Sequence, residues 1–320
     1  MTWHRKIGGE KELEDFPYHL AYTDSGRSSL RLILASASFQ SIALPDFLCD
    51  IIIQVVEEFQ LSIYYYKVNP DLTIQEDTID DRAEAIYLIN YFGQRQTKLI
   101  NKSDQWIIED NVFLMHVANF HDYPKWYGFN SYRKISNCAE GSLLVSSQYI
   151  DMTKINASQA PFVDSVYKAK AIKSEFINSK KPALEGAYLS LFVEGENQLN
   201  HQSEIYFPSP RGYFQMQAFC EQYEIEKSKR AENYACLASQ IRLELYIPVE
   251  AEFPSFFILN IDRRDELRAA LFKSSVFLPI HWQTNLGRNE LEQRVLSIPI
   301  DSRYEITDML YIGKLINSFI

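Results

Sequence analysis

The chain has 320 residues, 46% hydrophobic and 23% charged, a globular composition with enough material for one large domain or two. Its 42 acidic and 32 basic residues leave a net charge of −10, the wrong sign for a protein that neutralises nucleic-acid phosphates. The four cysteines, Cys49, Cys138, Cys220 and Cys236, show no C-x-x-C spacing, so reduced thiols and no metal site are expected.

The opening MTWHRKIGGEKELEDF carries charges but no apolar core, so a secretory signal is not expected. No apolar run approaches the roughly 20 residues that span a bilayer. The expectation is a cytoplasmic protein with neither a membrane nor a nucleic-acid partner.

The elements alternate from there on. Ser25-Gly26-Arg27-Ser28-Ser29 precedes Leu30, Ile33 and Leu34 at helical spacing. SIALP at 41–45 predicts a buried strand, 51–59 a helix and LSIYYYKV at 61–68 a strand. Tyr64, Tyr65 and Tyr66 alternate there as packing residues with one exposed ring. AIYLINYFG at 85–93 and WIIED at 106–110 predict two more strands. Strands alternating with helices predict an α/β fold with a mostly parallel sheet.

The second half reads differently. Residues 215–244 carry long helical periodicity. FFILNI at 256–261, a helix near 265–273, VFLPIHW at 276–282, LSIPI at 296–300 and a helix from about Thr307 predict a compact α+β unit. FPSPRG at 207–212 suggests the domain change. The expected units are 1–214, a large α/β domain, and 215–320, a linking helix with a smaller α+β domain.

Three features could carry chemistry. The small-residue turn at Gly26 opens a helix, whose free N–H groups suit a phosphate, with Arg27 and Ser28 as added donors; an ordinary helix cap explains it equally. Asp110 ends a strand, where a carboxylate could hold a heterocyclic nitrogen, a metal or a ribose, or cap the next helix.

Ser131-x-x-Lys134 has two chemical readings. A serine nucleophile activated by lysine would also need S-D-N-like and K-T-G-like elements, and neither stands in a suitable place. A Schiff-base lysine beside a phosphate-holding serine needs a depressed lysine pKa, for which Arg133 is the candidate cation. His116, His121 and Asp122 lack a further partner at metal-ligand spacing. Phosphate turn, strand-end aspartate and lysine turn follow one another on an α/β pattern, and they supply the groups that pyridoxal 5′-phosphate (PLP) needs: anion donors, an acid partner for its pyridinium nitrogen and a lysine for its aldehyde.

With these motifs the chain resembles the DegT/DnrJ/EryC1/StrS group of PLP-dependent sugar aminotransferases, of the aspartate aminotransferase (type I) fold. DSGRSSLRLIL is similar to the group's Ser-Gly-Thr-x-x-Leu helix start and LPDFLCD, loosely, to its Pro-x-x-Thr turn. INYFGQ resembles Val-His-x-x-Gly, and IIED the strand with the pyridine-contacting aspartate. KISNCAEGS resembles its lysine followed by Cys-Ala-Glu-Gly-Gly, and KRAENYACL its Arg-x-x-Asn-Tyr helix. IDRRDELRAALFKSSVFLPIHW and LSIPIDSRYEITDMLYIGKLI resemble its C-terminal pattern.

The resemblance implies that Lys134 is catalytic and bonds the cofactor aldehyde. It implies that Asp110 pairs with the pyridine nitrogen, and that Gly26, Arg27, Ser28 and Ser131 hold the phosphate. It further implies a homodimer with interfacial sites. The implied activity moves an amino group, usually from glutamate, to a nucleotide-linked keto-sugar in amino-sugar or surface-glycan biosynthesis.

Relatives that dehydrate sugars carry histidine in place of the lysine, and this chain keeps lysine. Arg27 stands where the group usually has Thr, Cys49 where an aromatic often stacks on the cofactor with Phe47 or Tyr91 as substitutes, and Ser142 where the turn has glycine. These departures motivate an alternative, an aminotransferase-fold protein with weak or no catalysis that binds a sugar nucleotide or regulates. His281 reads as a structural strand histidine. Residues 160–200, where relatives contact the partner subunit, show no alignable pattern.

Overall fold

The computed structural model describes residues 17–96, 104–282, 284 and 287–320; the opening stretch discussed above lies outside them. The elements in chain order are β1 (His19–Thr23), α1 (Gly26–Ser36), β2 (Ser41–Pro45), α2 (Asp50–Glu58), β3 (Ser62–Tyr66), β4 (Ala85–Ile89), β5 (Trp106–Asn111), β6 (Trp126–Asn130), α3 (Tyr132–Ile135) and β7 (Ser142–Ser146). Then come β8 (Ile155–Asn156), α4 (Phe162–Ser179), α5 (Pro182–Asn200), β9 (Ile205–Tyr206) and α6 (Pro210–Ala238). The chain continues with β10 (Tyr246–Ile247), β11 (Phe256–Asn260), α7 (Arg264–Lys273), α8 (Leu291–Arg294), β12 (Val295–Pro299) and α9 (Ile306–Phe319).

A seven-stranded sheet runs in the order β1-β7-β6-β5-β4-β2-β3. β2 to β6 are mutually parallel, and β7 runs antiparallel to both of its neighbours. Every residue of β2 and β4 is buried, which is why SIALP and AIYLI read as unbroken apolar runs: both faces of a parallel strand are covered. In β3 Tyr66 is buried and donates to Tyr87 O at 2.7 Å, while Tyr65 remains 38% exposed. A second core lies around Leu237, Phe257, Leu259, Leu271, Ile298 and Ile312, where β10-β11-β12 form a small antiparallel sheet under α7 and α9.

One sequence expectation needs correcting. The stretch 276–282 forms no strand, because Pro279 supplies no N–H to a ladder and the segment folds back so that Pro279 O accepts from Ser297 N at 3.1 Å. The unalignable stretch 160–200 is a helical hairpin: α4 ends on Lys180 in the left-handed region (φ 56°), and Pro182 opens α5. The unit boundary expected at 214/215 falls inside α6, a continuous helix of 29 residues.

Candidate functional site

At the carboxyl ends of β4, β5 and β6 lies a cavity of about 160 Å³, where open α/β sheets take their ligands. Five of the six residues picked from sequence line it: Gly26, Arg27, Asp110, Ser131 and Lys134. Register places them together, since Asp110 of β5 sits opposite Ile89 of β4 and Phe129 of β6, and Ser131 follows β6 directly.

Ser28 does not line the cavity. Its backbone N–H is taken by the N-cap Ser25 Oγ (3.2 Å), and its hydroxyl accepts from Gln202 Nε2 (3.3 Å). Capping at Ser28 leaves Gly26 and Arg27 carrying the first orphan N–H groups of α1 at the cavity wall. The turn itself is held from behind. The buried Asp24 carboxylate accepts from Gln202 Nε2 (2.9 Å) and Tyr206 N (3.1 Å), and its carbonyl accepts from Gly141 N (2.6 Å).

Asp110 is buried, with Tyr87 Oη donating to Oδ2 at 2.5 Å and Val112 N to Oδ1 at 2.9 Å. Burial pushes its pKa up to about 6, against the pull of Tyr87, Val112 and the Lys134 charge. Near neutral pH it is therefore mostly a carboxylate, with lone pairs left for a ligand N–H.

Lys134 keeps solvent-accessible area because it borders the cavity. Dense protein surrounds that opening, and this desolvation, then Arg133 and Arg27, hold its ammonium below the usual lysine value, with Cys49 and Glu196 opposing. Arg133, the cation anticipated from sequence, is thus the largest charge acting in that direction. A short helix presents the lysine, and its end is clamped: Ser136 N returns to Tyr132 O at 3.0 Å, and Arg230 Nη2 donates to Ile135 O at 3.2 Å.

The rest of the Cys-Ala-Glu-Gly turn is structural. Glu140 accepts from Ser209 N (2.9 Å) and Ser209 Oγ (2.5 Å), fixing the start of α6. Gly141 adopts φ 110° against Met216, a conformation that costs a side-chain-bearing residue dearly. Ser142, where the resemblance expects glycine, donates to Asn130 O (2.5 Å) and meets Ser29 Oγ (2.8 Å), tying β7 to α1. In KRAENYACL, Arg230 Nη1 also donates to Ser255 O, Asn233 Nδ2 to Ile300 O, and Tyr234 Oη accepts from Val249 N; the motif is a clamp between α6, the small sheet and the lysine turn.

Sequence reasoning missed Glu196 and Trp282, which both line the cavity. Glu196 lies on α5, 169 residues from Arg27, and bonds it across that gap; no local pattern signals such a meeting. The rings bordering the cavity are Phe113, Phe129 and Trp282. Phe47 and Tyr91 instead back Trp282, at ring-centroid distances of 5.3 and 6.0 Å. His281 packs among Phe92, Phe113 and Phe256 and shares a 2.9 Å hydrogen bond with Ser297 Oγ; burial, then the Lys134 charge, lowers its pKa to about 3. His121 meets Gln96 O, and His116 packs against Tyr223.

No family model and no curated protein matches the sequence. Solved structures do. DesV of S. venezuelae aligns over 94% of this chain and 84% of its own, at 16% identity and a TM-score of 0.62. Helicobacter pylori PseC, an aminotransferase involved in the biosynthesis of pseudoaminic acid, aligns over 94% and 86%, at 12% identity and 0.64. A DegT DnrJ EryC1 StrS aminotransferase from Brucella abortus aligns over 94% and 86%, at 15% identity and 0.60. The chain has the type I fold of the PLP-dependent aminotransferases, and sugar aminotransferases are among its structural neighbours.

Proposed function

We propose that the protein is a PLP-dependent aminotransferase acting on a nucleotide-linked keto-sugar, with glutamate as the amino donor. The observation that carries this is Lys134 and Asp110 facing one cavity with opposite pKa displacements. The lysine amine is made easier to deprotonate, and the aspartate stays ionised at neutral pH.

The donor set fits pyridoxal 5′-phosphate. Arg27, Arg133, Ser131 and the start of α1 supply cations and hydrogen-bond donors for a phosphate, Asp110 a carboxylate for the ring nitrogen, and Lys134 an amine for the aldehyde. Bound there, the cofactor supplies an electron sink. This chain's residues do the rest: Asp110 holds a proton on the ring nitrogen, Lys134 moves a proton to and from the substrate carbon, and Phe113, Phe129 and Trp282 exclude water.

That structural neighbours of the same fold are described as sugar aminotransferases supports a sugar as substrate. A homodimer, a cytoplasmic setting, and a role in amino-sugar or surface-glycan synthesis belong to the same reading. The described residues hold no helix long and apolar enough to cross a membrane.

The test is the visible spectrum of the purified protein with added PLP, for wild type and Lys134→Ala. A yellow band in the wild type, absent from the variant and bleached by glutamate, is expected. A wild type without a band refutes the enzyme reading. A second reading, a ligand-binding protein without turnover, is favoured by one observation: the Glu196 carboxylate sits between the two arginines at the anion end of the cavity.

A further inference from the structure

Arg27 and Arg133 both line the cavity, and neither is free. Arg27 Nη2 donates to Glu196 Oε1 at 2.7 Å and Nη1 to Asn200 Oδ1 at 2.6 Å; Arg133 Nη2 donates to Glu196 Oε2 at 3.1 Å. One carboxylate thus bridges two guanidinium groups with both of its oxygens, the arrangement that guanidinium pairs give a phosphate. The arginine side chains are 18% and 20% exposed, and that of Glu196 is 45% exposed, so the carboxylate is the more accessible partner. Burial pushes the Glu196 pKa up, but Arg133 and Arg27 outweigh it and keep the group ionised.

Glu196 also has somewhere to go. Behind it a second groove is lined by Arg133, Cys138, Val166, Lys170, Phe192 and Glu196 itself. Among the described residues Lys170 makes no ion pair, and burial, then Arg133, lowers its pKa to about 8. A carboxylate arriving beside Lys170 relieves that desolvated charge.

We propose that Glu196 is a built-in competitor for the anion seat formed by Arg27 and Arg133. A phosphate monoester entering the cavity displaces the carboxylate, which swings across the groove to Lys170, so that the Glu196–Lys170 exchange sets the affinity of this site for phosphate. The inference rests on the PLP reading only for the identity of the ligand. The competition itself belongs to any phosphate monoester that enters.

Calorimetric titration with inorganic phosphate, pyridoxal 5′-phosphate and pyridoxal tests it, with thermal melts to confirm folding. Glu196→Gln is expected to tighten phosphate and pyridoxal 5′-phosphate binding at least five-fold and to leave pyridoxal unchanged. Lys170→Met is expected to weaken phosphate binding in the wild type but not in the Glu196→Gln background. Unchanged or weaker phosphate binding in Glu196→Gln overturns the proposal, as does an equal gain for pyridoxal. A phosphate gain without a yellow band at Lys134 upholds the competition while refuting the enzyme reading; a band without the gain does the reverse.

Discussion

Tyr87 donates its phenolic hydroxyl to the carboxylate of Asp110 at 2.5 Å, between neighbouring strands at the floor of the cavity. The two residues share a proton landscape. The buried hydroxyl resists ionisation, and the hydrogen bond it gives lowers the pKa of Asp110 from where burial alone would put it.

Replacing Tyr87 by Phe removes that bond and leaves the carboxyl equally buried. The Asp110 pKa then rises above about 6, and the pH at which the protein gains half its affinity for pyridoxal 5′-phosphate moves upward. Fluorescence titrations from pH 5 to 9 read this directly. A midpoint that stays put or moves down would show that another group governs binding.

Asp110 also has a signature in the ligand-free protein. Its folded pKa of about 6 lies above the ordinary value of 3.8. Between those pH values the unfolded chain has released a proton that the folded chain still holds, so the stability owed to this group falls as pH rises through the window. The full effect, complete above the folded pKa, is about 3 kcal/mol. Urea unfolding of wild type and Asp110→Asn is expected to show the variant gaining on the wild type from pH 4 to about 6.5 and holding level beyond. A difference independent of pH would refute the assignment.

Gly141→Ala combines two penalties. The residue sits at φ 110°, and an added Cβ would overlap Met216 Sδ. A loss of about 2–4 kcal/mol is expected from the strained backbone and the overlap together. Met216→Ala in the same chain should return only the steric part, read from chemical denaturation of the double variant. Complete recovery would mean that backbone strain contributes nothing.

Arg230→Met leaves Ile135 O and Ser255 O without their donor and Glu226, now 2.7 Å from the guanidinium, without its partner. Breaking a buried charge pair of this kind costs about 3–5 kcal/mol. Because Ile135 follows Lys134, binding of pyridoxal 5′-phosphate should weaken as well, even at temperatures where the variant is folded. Full binding in a merely destabilised variant would confine Arg230 to stability.

Much of the fold was legible because its strands are short and covered on both faces. SIALP, AIYLI and WIIED announce a parallel sheet through unbroken apolar runs; β2 matches its expected span, while β4 stops at Ile89, short of the expected 85–93, because Tyr91–Gly93 turns into a 3-10 helix. The site was legible where chemistry follows a strand end: Asp110 after β5's apolar run, Ser131 and Lys134 just beyond β6. Ser28 lies off the cavity because its N–H is taken by the Ser25 cap and its hydroxyl by Gln202, and a sequence cannot say which hydroxyl of Ser25 and Ser28 turns to the cavity. Glu196 and Trp282 were invisible for a different reason. Each reaches the cavity from an element distant in sequence, and the apolar alternation of 276–282 suggested a strand where the chain folds back instead.

The clamp on the Asp24 turn spans the chain: Gln202 and Tyr206, which hold that carboxylate, lie 178 and 182 residues downstream. During synthesis the start of α1 therefore emerges long before the groups that fix it. At roughly 5–20 residues per second, on the order of ten seconds or more pass with a buried-to-be carboxylate still facing water. The anion end of the cavity is accordingly among the last parts of the large sheet to be completed, and a nascent chain cannot grip a phosphate there until α4 and α5 have left the ribosome.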